Sequence, residues 1–292
     1  MIAGVAYLLQ RRHNGDRIPE PDLSQLRGRD PGATTADTAV PYENLLQASR
    51  IVLDVHHLVP LLGCRERTFT RMLPTLLHLE ALVCRRNSAF VRGAGDRSWR
   101  RALETILDGH GLNTRAVHRN VVRLHEYFQR ANQVATGEVA RTEDLVRRLV
   151  WLRSSDVRML AHLLCAAEGR VVADQVERLL DPVLQLRTIA DDLRSCGDGS
   201  AEPFNVLSEH SQLHGAAAAP RRLHEEQQRL VEHVLAFCGT MPRNRVLALW
   251  SALFRTPVPA PLLLLPGRVV ALALARRLQD LDEAFGPIPH PG

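Results

Sequence analysis

The sequence predicts an all-α protein in which a single helical domain follows a flexible arm. Apolar residues recur at steps of three and four along most of the chain, which is the period of an amphipathic helix. The series Val117, Val121, Leu124 and Phe128 is one example. Strand signals are weak, because aromatic residues make up only 4% of the chain and no run of β-branched residues alternates with polar ones. We therefore expect about ten helices and no sheet of three or more strands.

The predicted elements follow one another with short breaks. Residues 13–41 contain Pro19, Pro21 and Pro31, three glycines and many charges, so we interpret residues 1–41 as the flexible arm. The all-helical domain then covers residues 42–292, where glycines and prolines separate the periodic segments. In chain order, the predicted helices cover residues 43–61, 66–86, 98–109, 113–137, 141–168, 171–196, 204–213, 221–238, 243–255 and 268–284.

The composition excludes several classes of protein. All 37 basic side chains are arginines, so the chain can supply neither a Schiff-base lysine nor a P-loop lysine. The five cysteines are odd in number and form no C-x-x-C pair, which argues against a disulfide framework or a zinc ribbon. The net charge of +5 permits an anionic ligand. The arginine doublets are dispersed, however, so we expect no nucleic-acid partner.

The sequence predicts a cytoplasmic protein without stable membrane insertion. No apolar segment reaches the roughly 18–20 residues that are needed to span a bilayer. The stretch Ile2–Leu9 resembles a short signal core, but its arginines follow it instead of preceding it. The histidines show no closed four-ligand spacing, so a zinc site is not expected either.

One helical segment combines residue types that can bind a metal. It ends in two adjacent acids, Asp191 and Asp192, and the hydroxyl of Ser195 follows. Asp191 and Ser195 are four residues apart and share a helix face, with Arg187 one turn earlier. A carboxylate and a hydroxyl placed in this way can both offer oxygen to Mg²⁺. The alternative interpretation is an ordinary helix end that leads into a polar loop.

The segment Asp191–Ser195, followed by Phe204–Leu207, resembles the second metal-binding motif of class I terpene synthases. The resemblance implies metal ligands at Asp191 and Ser195, with Asp192 beside them. The last ligand of the motif falls at a glycine, residue 199, so an acid at 198 or 202 would have to substitute. The family fold is a helical bundle around a central cavity, its cofactor is Mg²⁺, and its substrates are isoprenyl diphosphates.

Three further residues are assigned to the diphosphate by this resemblance. Trp151–Val157 is similar to the stretch in which an arginine senses the substrate diphosphate, and Arg153 is the matching position. A guanidinium suits this role because its planar fork matches phosphate oxygens. Arg187 and Asn205 complete the predicted set. Since Arg153 and Asp191 belong to consecutive predicted helices, we expect their side chains to open into one cavity.

The aspartate-rich motif of the family is reduced to Asp54, because valine and histidines replace its other acids. We predict that Asp54 faces the same cavity as Asp191, and that His57 in its protonated form donates to phosphate there. These residues favour a Mg²⁺-dependent lyase, cyclase or transferase that ionises an isoprenyl diphosphate, with Asp54 and Arg153 catalytic. The alternative is a non-catalytic helical binding protein that retains the fold. A homodimer is compatible with both hypotheses.

Overall fold

The computed structural model describes residues 38–91, 98–196, 204–239, 241–256 and 258–280. All of these residues belong to one compact unit that spans Pro31–Gly292. Most of the predicted arm, residues 1–37, lies outside the described residues. So do positions 198, 199 and 202, at which the last ligand of the metal motif was expected.

The described chain is all-α, as the sequence predicts, and contains no β-strand. Eleven of its helices have nine residues or more, one is a single turn, and a 3-10 helix at Ala260–Leu264 precedes the last α-helix. No helix in these ranges is long and apolar enough to cross a membrane. The α-helices are α1 (Tyr42–His56), α2 (Val59–Leu62), α3 (Glu66–Val91), α4 (Trp99–Gly109), α5 (Arg115–Ala135), α6 (Glu143–Arg153), α7 (Ser155–Ala166), α8 (Asp174–Cys196), α9 (Val206–His214), α10 (Ala219–Cys238), α11 (Arg243–Phe254) and α12 (Gly267–Gln279).

Polar side chains fix the starts of three helices. The Thr114 hydroxyl accepts a hydrogen bond from the third backbone N–H of α5, and Thr142 does the same for α6. The side chain of Asn205 caps α9 through the N–H of Ser208. Each cap satisfies a backbone donor that has no partner inside the helix, which typically contributes about 1 kcal/mol. Glu143 and Asp144 in the first turn of α6 add favourable charge at the positive end of the helix dipole.

A core of aliphatic side chains fills the space between the helices. α1 packs against α3, α5 against α7, α8 against α10, and α11 against α12. Aromatic rings join the core in edge-to-face pairs, with ring centroids 5.5 Å apart for Trp99 and Phe128 and 6.3 Å apart for Tyr127 and Phe204. Burial of one leucine or phenylalanine is worth roughly 1.5–3 kcal/mol, so this packing supplies the main stabilisation of the fold.

The predicted helix 43–61 is wrong in one respect, because it divides into α1 and α2. Pro60 has no backbone N–H and therefore cannot donate to the carbonyl of His56. The chain tightens before it, and the N–H of Leu58 donates to the carbonyl of Val55 at 2.9 Å. The break lies next to Asp54 and His57 and sets the direction in which α1 ends.

The predicted helix 141–168 also divides, at Ser154, into α6 and α7. The Ser154 hydroxyl contacts the carbonyl of Val150 at 3.3 Å, a local bond that often bends helices. The carbonyl of Trp151 accepts instead from the guanidinium of Arg158, at 2.7 Å. Arg158 is buried and pairs with Asp181 of α8 at 2.8 Å. A charged side chain thus satisfies the backbone group that the break exposes.

Glu80 is a carboxyl group inside the apolar core. It lies on α3 and is fully buried, and its Oε2 atom has no hydrogen-bond partner. Burial raises the pKa of Glu80 well above its ordinary value of 4.5, and the charge of Asp156 on α7 raises it further. The folded protein therefore favours the protonated form of this side chain.

We expect Glu80→Gln to stabilise the protein at alkaline pH. The pKa of Glu80 is higher in the folded state than in the unfolded chain. The contribution of protonated Glu80 to the free energy of unfolding is therefore fully present below about pH 4 and is lost as the pH rises through the folded-state pKa. Thermal unfolding followed by circular dichroism should show that the Tm of the variant falls less steeply than that of wild type between about pH 5 and pH 9. At the alkaline end of this range the variant should have the higher Tm.

The exposed Glu138 supplies the control, since Glu138→Gln should leave the pH dependence of the Tm unchanged. A Glu80→Gln variant that melts below wild type at alkaline pH would contradict the assignment of Glu80 as a neutral core group.

Candidate functional site

Asp54 and Asp191 converge on the guanidinium of Arg255. Asp54 lies in the last turn of α1, Asp191 lies near the end of α8, and Arg255 follows α11. The Nη2 atom of Arg255 is 3.0 Å from Oδ2 of Asp54 and 2.6 Å from Oδ2 of Asp191. The two carboxylate oxygens are therefore no more than about 5.6 Å apart. The structure brings these two predicted site residues together although 137 positions separate them in the sequence.

Two more arginines surround this carboxylate pair. Arg187, one turn before Asp191 on α8, is 4% exposed, and its Nη2 atom lies 3.0 Å from Oδ2 of Asp54. Arg194 is exposed and contacts Oδ1 of Asp191 at 3.1 Å. Arg255 itself forms a two-pronged contact with Asp191, because its Nη1 donates to Oδ1 at 2.7 Å. We refer to Asp54, Asp191, Arg187 and Arg255 as the aspartate–arginine cluster.

Arg255 has an unusual backbone conformation for a residue with a side chain. Its φ of 52° is in the left-handed region, and it is the one non-glycine residue there within the described ranges. Its N–H donates to the carbonyl of Ser251 at 3.0 Å and ends α11. This conformation costs of order 1–2 kcal/mol. We attribute its retention to the ion pairs with Asp54 and Asp191, because the reversed backbone directs the guanidinium toward α1 and α8.

Arg255 is not among the site residues predicted from the sequence. One signal was available, since this arginine is the last residue of the predicted helix 243–255 and precedes the proline-rich stretch 257–266, where a helix must end. Nothing in the pattern distinguishes it from the 36 other arginines, because its role depends on a turn and on partners from distant helices.

The two carboxylates of the cluster differ in their electrostatics. Burial raises the pKa of Asp54 above its ordinary value and outweighs the opposing charges of Arg187 and Arg255. Burial acts on Asp191 in the same direction, but hydrogen bonds and charge from Arg255 reverse the effect and lower its pKa. Asp191 is thus the more strongly ionised of the two. The negative charge of Asp54 depends more on its partners.

The sequence suggested that His57 donates to phosphate in its protonated form, and the surroundings of its side chain disfavour that form. Its side chain lies beside the cluster, and Nδ1 is 3.3 Å from the hydroxyl of Ser251 on α11. Burial and the charge of Arg187 lower its pKa to about 4. The imidazole is therefore neutral at physiological pH, because the nearby arginines already supply the positive charge. A neutral imidazole still offers one N–H to a ligand.

Arg153 contacts Asp192 and not Asp191. Its Nη1 atom lies 2.5 Å from Oδ1 of Asp192 and 3.3 Å from the carbonyl of Phe204. Adjacent residues on a helix point about 100° apart, so Asp191 and Asp192 face different neighbours. The expectation that Arg153 and Asp191 share one cavity is not met in these contacts.

Asp192, Ser195 and Asn205 form the joint between α8 and α9. Asp192 is fully buried, and its Oδ2 accepts from the N–H of Val206 at 2.7 Å. Ser195 donates to the carbonyl of Asp192 at 3.0 Å, and Asn205 donates to the same carbonyl at 2.9 Å. Both carboxylate oxygens of Asp192 are therefore engaged by protein groups. These contacts position helices, which differs from the metal-binding and diphosphate-binding roles that the motif implies.

A small crevice lies beside this joint, between α6, α8, α9 and α10. Its lining is mainly apolar, with Val150, Ile189, Val206 and Leu230, and includes His210 and Glu226. It borders the side of α8 that carries Asp192, not the side that carries Asp191. The crevice has room for about one water molecule, so it is far smaller than a typical substrate pocket.

The cluster contains two of the hard oxygen donors that Mg²⁺ prefers. Among the described residues, no group of three or more His, Cys, Asp or Glu is arranged to hold a metal ion. Asp54 and Asp191 nevertheless fit Mg²⁺, which is commonly bound by one or two carboxylates together with substrate phosphates and water. Asp192 does not fit, because its oxygens are occupied. The donor set therefore matches a metal that arrives with an anionic ligand.

We expect Asp192→Ala to destabilise the protein by about 3–5 kcal/mol, because it leaves Arg153 without its buried partner and removes the cap at Val206. Urea denaturation monitored by circular dichroism measures this loss. Asp191→Ala is the matched comparison on the next residue. Asp191→Ala should lower the free energy of unfolding clearly less than Asp192→Ala, because Asp191 is more exposed and Arg255 keeps Asp54 as a partner. Equal losses for the two variants would contradict the division of roles.

The contacts thus define one partly buried cluster of two carboxylates and two arginines, and one buried joint between α8 and α9. Comparisons with known protein families, curated proteins and solved structures found no match to this chain.

Proposed function

We propose that this protein is a Mg²⁺-dependent enzyme that ionises an isoprenyl diphosphate, as a lyase, cyclase or transferase. One observation carries the proposal. Asp54 and Asp191, from helices far apart in the sequence, meet at one nitrogen of Arg255. Loss of diphosphate from an allylic carbon requires positive charge on the departing group, which metal ions and guanidinium groups provide.

Asp54 and Asp191 would hold the metal in this proposal. Their nearest oxygens are separated by no more than about 5.6 Å, so they can share one ligand-bearing ion or flank a small metal–diphosphate assembly. Bound Mg²⁺ would neutralise charge on the diphosphate oxygens as the carbon–oxygen bond breaks. The reduced aspartate-rich motif leaves one carboxylate on α1, and substrate oxygens and water would complete the coordination.

Arg187 and Arg255 would bind the diphosphate. Each of them pairs with a carboxylate of the cluster. With a cation bound by the carboxylates, the same guanidinium groups would be available to phosphate oxygens. Arg194 adds a further positive charge at the exposed side. Arg153 acts in this scheme as a positioning residue, because it fixes α6 to α8 through Asp192.

A second candidate is a non-catalytic helical binding protein. The specific observation in its favour is that every carboxylate of the cluster already has an arginine partner. A set of ion pairs of this kind can hold α1, α8 and α11 together without any ligand. The small size of the crevice beside α8 also fits this hypothesis.

Asp54→Asn and Asp191→Asn should each lower the release of diphosphate by at least about 100-fold, because a carboxamide cannot replace a carboxylate as a metal ligand or counter-charge. The assay incubates the protein with Mg²⁺ and prenyl diphosphates of increasing chain length and measures released diphosphate. Asp144→Asn, at a position where the side chain is 94% exposed, is the control and should retain full turnover. Unchanged far-ultraviolet circular dichroism shows that each variant is folded.

Full turnover in Asp54→Asn would overturn the metal mechanism. If wild type releases no diphosphate from any prenyl substrate, the non-catalytic candidate is favoured instead.

Binding can be tested separately from turnover. Isothermal titration with inorganic diphosphate should show Mg²⁺-dependent binding by wild type and about 10- to 100-fold weaker binding by Arg255→Gln, because one charged hydrogen-bonding group is worth roughly 1.5–3 kcal/mol. Arg268→Gln, at an exposed arginine of α12 outside the cluster, is the matched control. Equal affinity of Arg255→Gln and wild type would remove Arg255 from the proposed site.

A further inference from the structure

The C-terminal part of the described chain has an unusual charge distribution. Residues 243–279 contain six arginines and no Asp or Glu, whereas the whole chain has a net charge of only +5. This segment comprises α11, the 3-10 helix and α12. Arg255 is bound inside the aspartate–arginine cluster, and Arg243 donates to the carbonyl of Leu265 at 2.7 Å. Arg268 and Arg276 are exposed on α12.

Large apolar side chains are exposed in the same segment. Leu264 is 87% exposed and Leu272 is 74% exposed, and Leu263 and Val269 are exposed as well. Single exposed apolar residues are common on protein surfaces, but here four lie within ten positions of the chain. We call Leu263, Leu264, Val269 and Leu272 the leucine patch.

The apolar and basic residues of α12 share one face. At about 100° per residue, Arg268, Val269, Leu272 and Arg276 fall within an arc of about 100°. The buried residues of the same helix, Val270, Leu274 and Leu278, occupy a separate arc that packs toward α10 and α11. α12 therefore has one stripe for the core and a second stripe that combines apolar groups with positive charge.

The 3-10 helix is anchored to the start of α11 by Arg243. The guanidinium of Arg243 also contacts the carbonyl of Leu263. Gly267 allows the start of α12 to approach Arg243 closely, since a Cβ there would lie 3.0 Å from the Arg243 Cβ. Leu263 and Leu264 are thus presented by an anchored segment that leads directly into α12.

We propose that the leucine patch docks the protein on the surface of an anionic lipid bilayer. Apolar side chains flanked by arginine, without acidic residues, are the combination that binds at a membrane interface, because the leucines enter the acyl boundary and the arginines pair with lipid phosphates. The positive charge of this segment favours negatively charged lipids as its partner. A second copy of the chain would present the same basic segment, and the two positive surfaces would repel each other. The inference does not depend on the proposed enzymatic function.

The test uses the full chain and vesicles that contain no prenyl compound. In a flotation assay, wild type should float with vesicles of phosphatidylcholine and phosphatidylglycerol, and should remain largely unbound with phosphatidylcholine alone. Binding should weaken as salt screens the arginines. In the double variant Leu264→Asp/Leu272→Asp, the fraction of protein bound to vesicles should be at least 10-fold lower than in wild type. Val171→Asp, at an isolated valine that is 84% exposed, is the matched control and should bind like wild type.

Three results would overturn the proposal. Wild type could fail to float with anionic vesicles, or the double variant could float as well as wild type. The third result is that wild type is a dimer in light scattering and does not bind vesicles, while the double variant is a monomer. A second copy of the chain would then cover the leucine patch. Asp54→Asn should bind vesicles normally, so failure of docking and failure of the enzymatic proposal are distinguishable.

Discussion

The guanidinium of Arg255 connects three helices that are distant in the sequence. Through Asp54 and Asp191 it ties the end of α11 to the ends of α1 and α8. A lysine could not do this equally well, because a single ammonium lacks the planar fork that contacts two oxygens of Asp191 while reaching Asp54. The left-handed backbone at Arg255 is tolerated for the same reason. The geometry of the candidate site therefore depends on this one side chain.

Arginine side chains also bind carboxylates and backbone carbonyls elsewhere in the bundle. Arg158 satisfies the Trp151 carbonyl at the break between α6 and α7, and Arg153 links α6 to the joint between α8 and α9. Each of these ion pairs has one buried member, which is Arg158 in the pair with Asp181 and Asp192 in the pair with Arg153. Removal of one member of such a pair costs more than the pair contributes, because an unpaired charge stays in the core.

The fold class follows from the sequence because the apolar period of α5 and α8 is a property of the chain itself. The breaks at residues 57 and 154 do not follow from this apolar period. The first depends on Pro60, which cannot donate a backbone hydrogen bond, and the second depends on the side-chain hydrogen bonds of Ser154 and Arg158. The site was predictable in part. Asp54 and Asp191, which were expected to face one cavity, both contact Arg255. Arg153 contacts Asp192 instead of Asp191, because one residue changes the direction of a side chain by about 100°. Arg255 lies beyond a helix end, where no periodic signal exists.

The shared contacts of Arg255 have a thermodynamic consequence. A cation that binds Asp54 and Asp191 must displace two guanidinium groups, and a free guanidinium beside a bound cation is repelled unless an anion receives it. Under the proposed function, metal and diphosphate would therefore bind with positive heterotropic cooperativity, each raising the affinity for the other by the same factor. Either ligand alone would bind weakly. The ion pairs of the cluster would in this way make the protein respond to the metal–diphosphate complex and not to its parts.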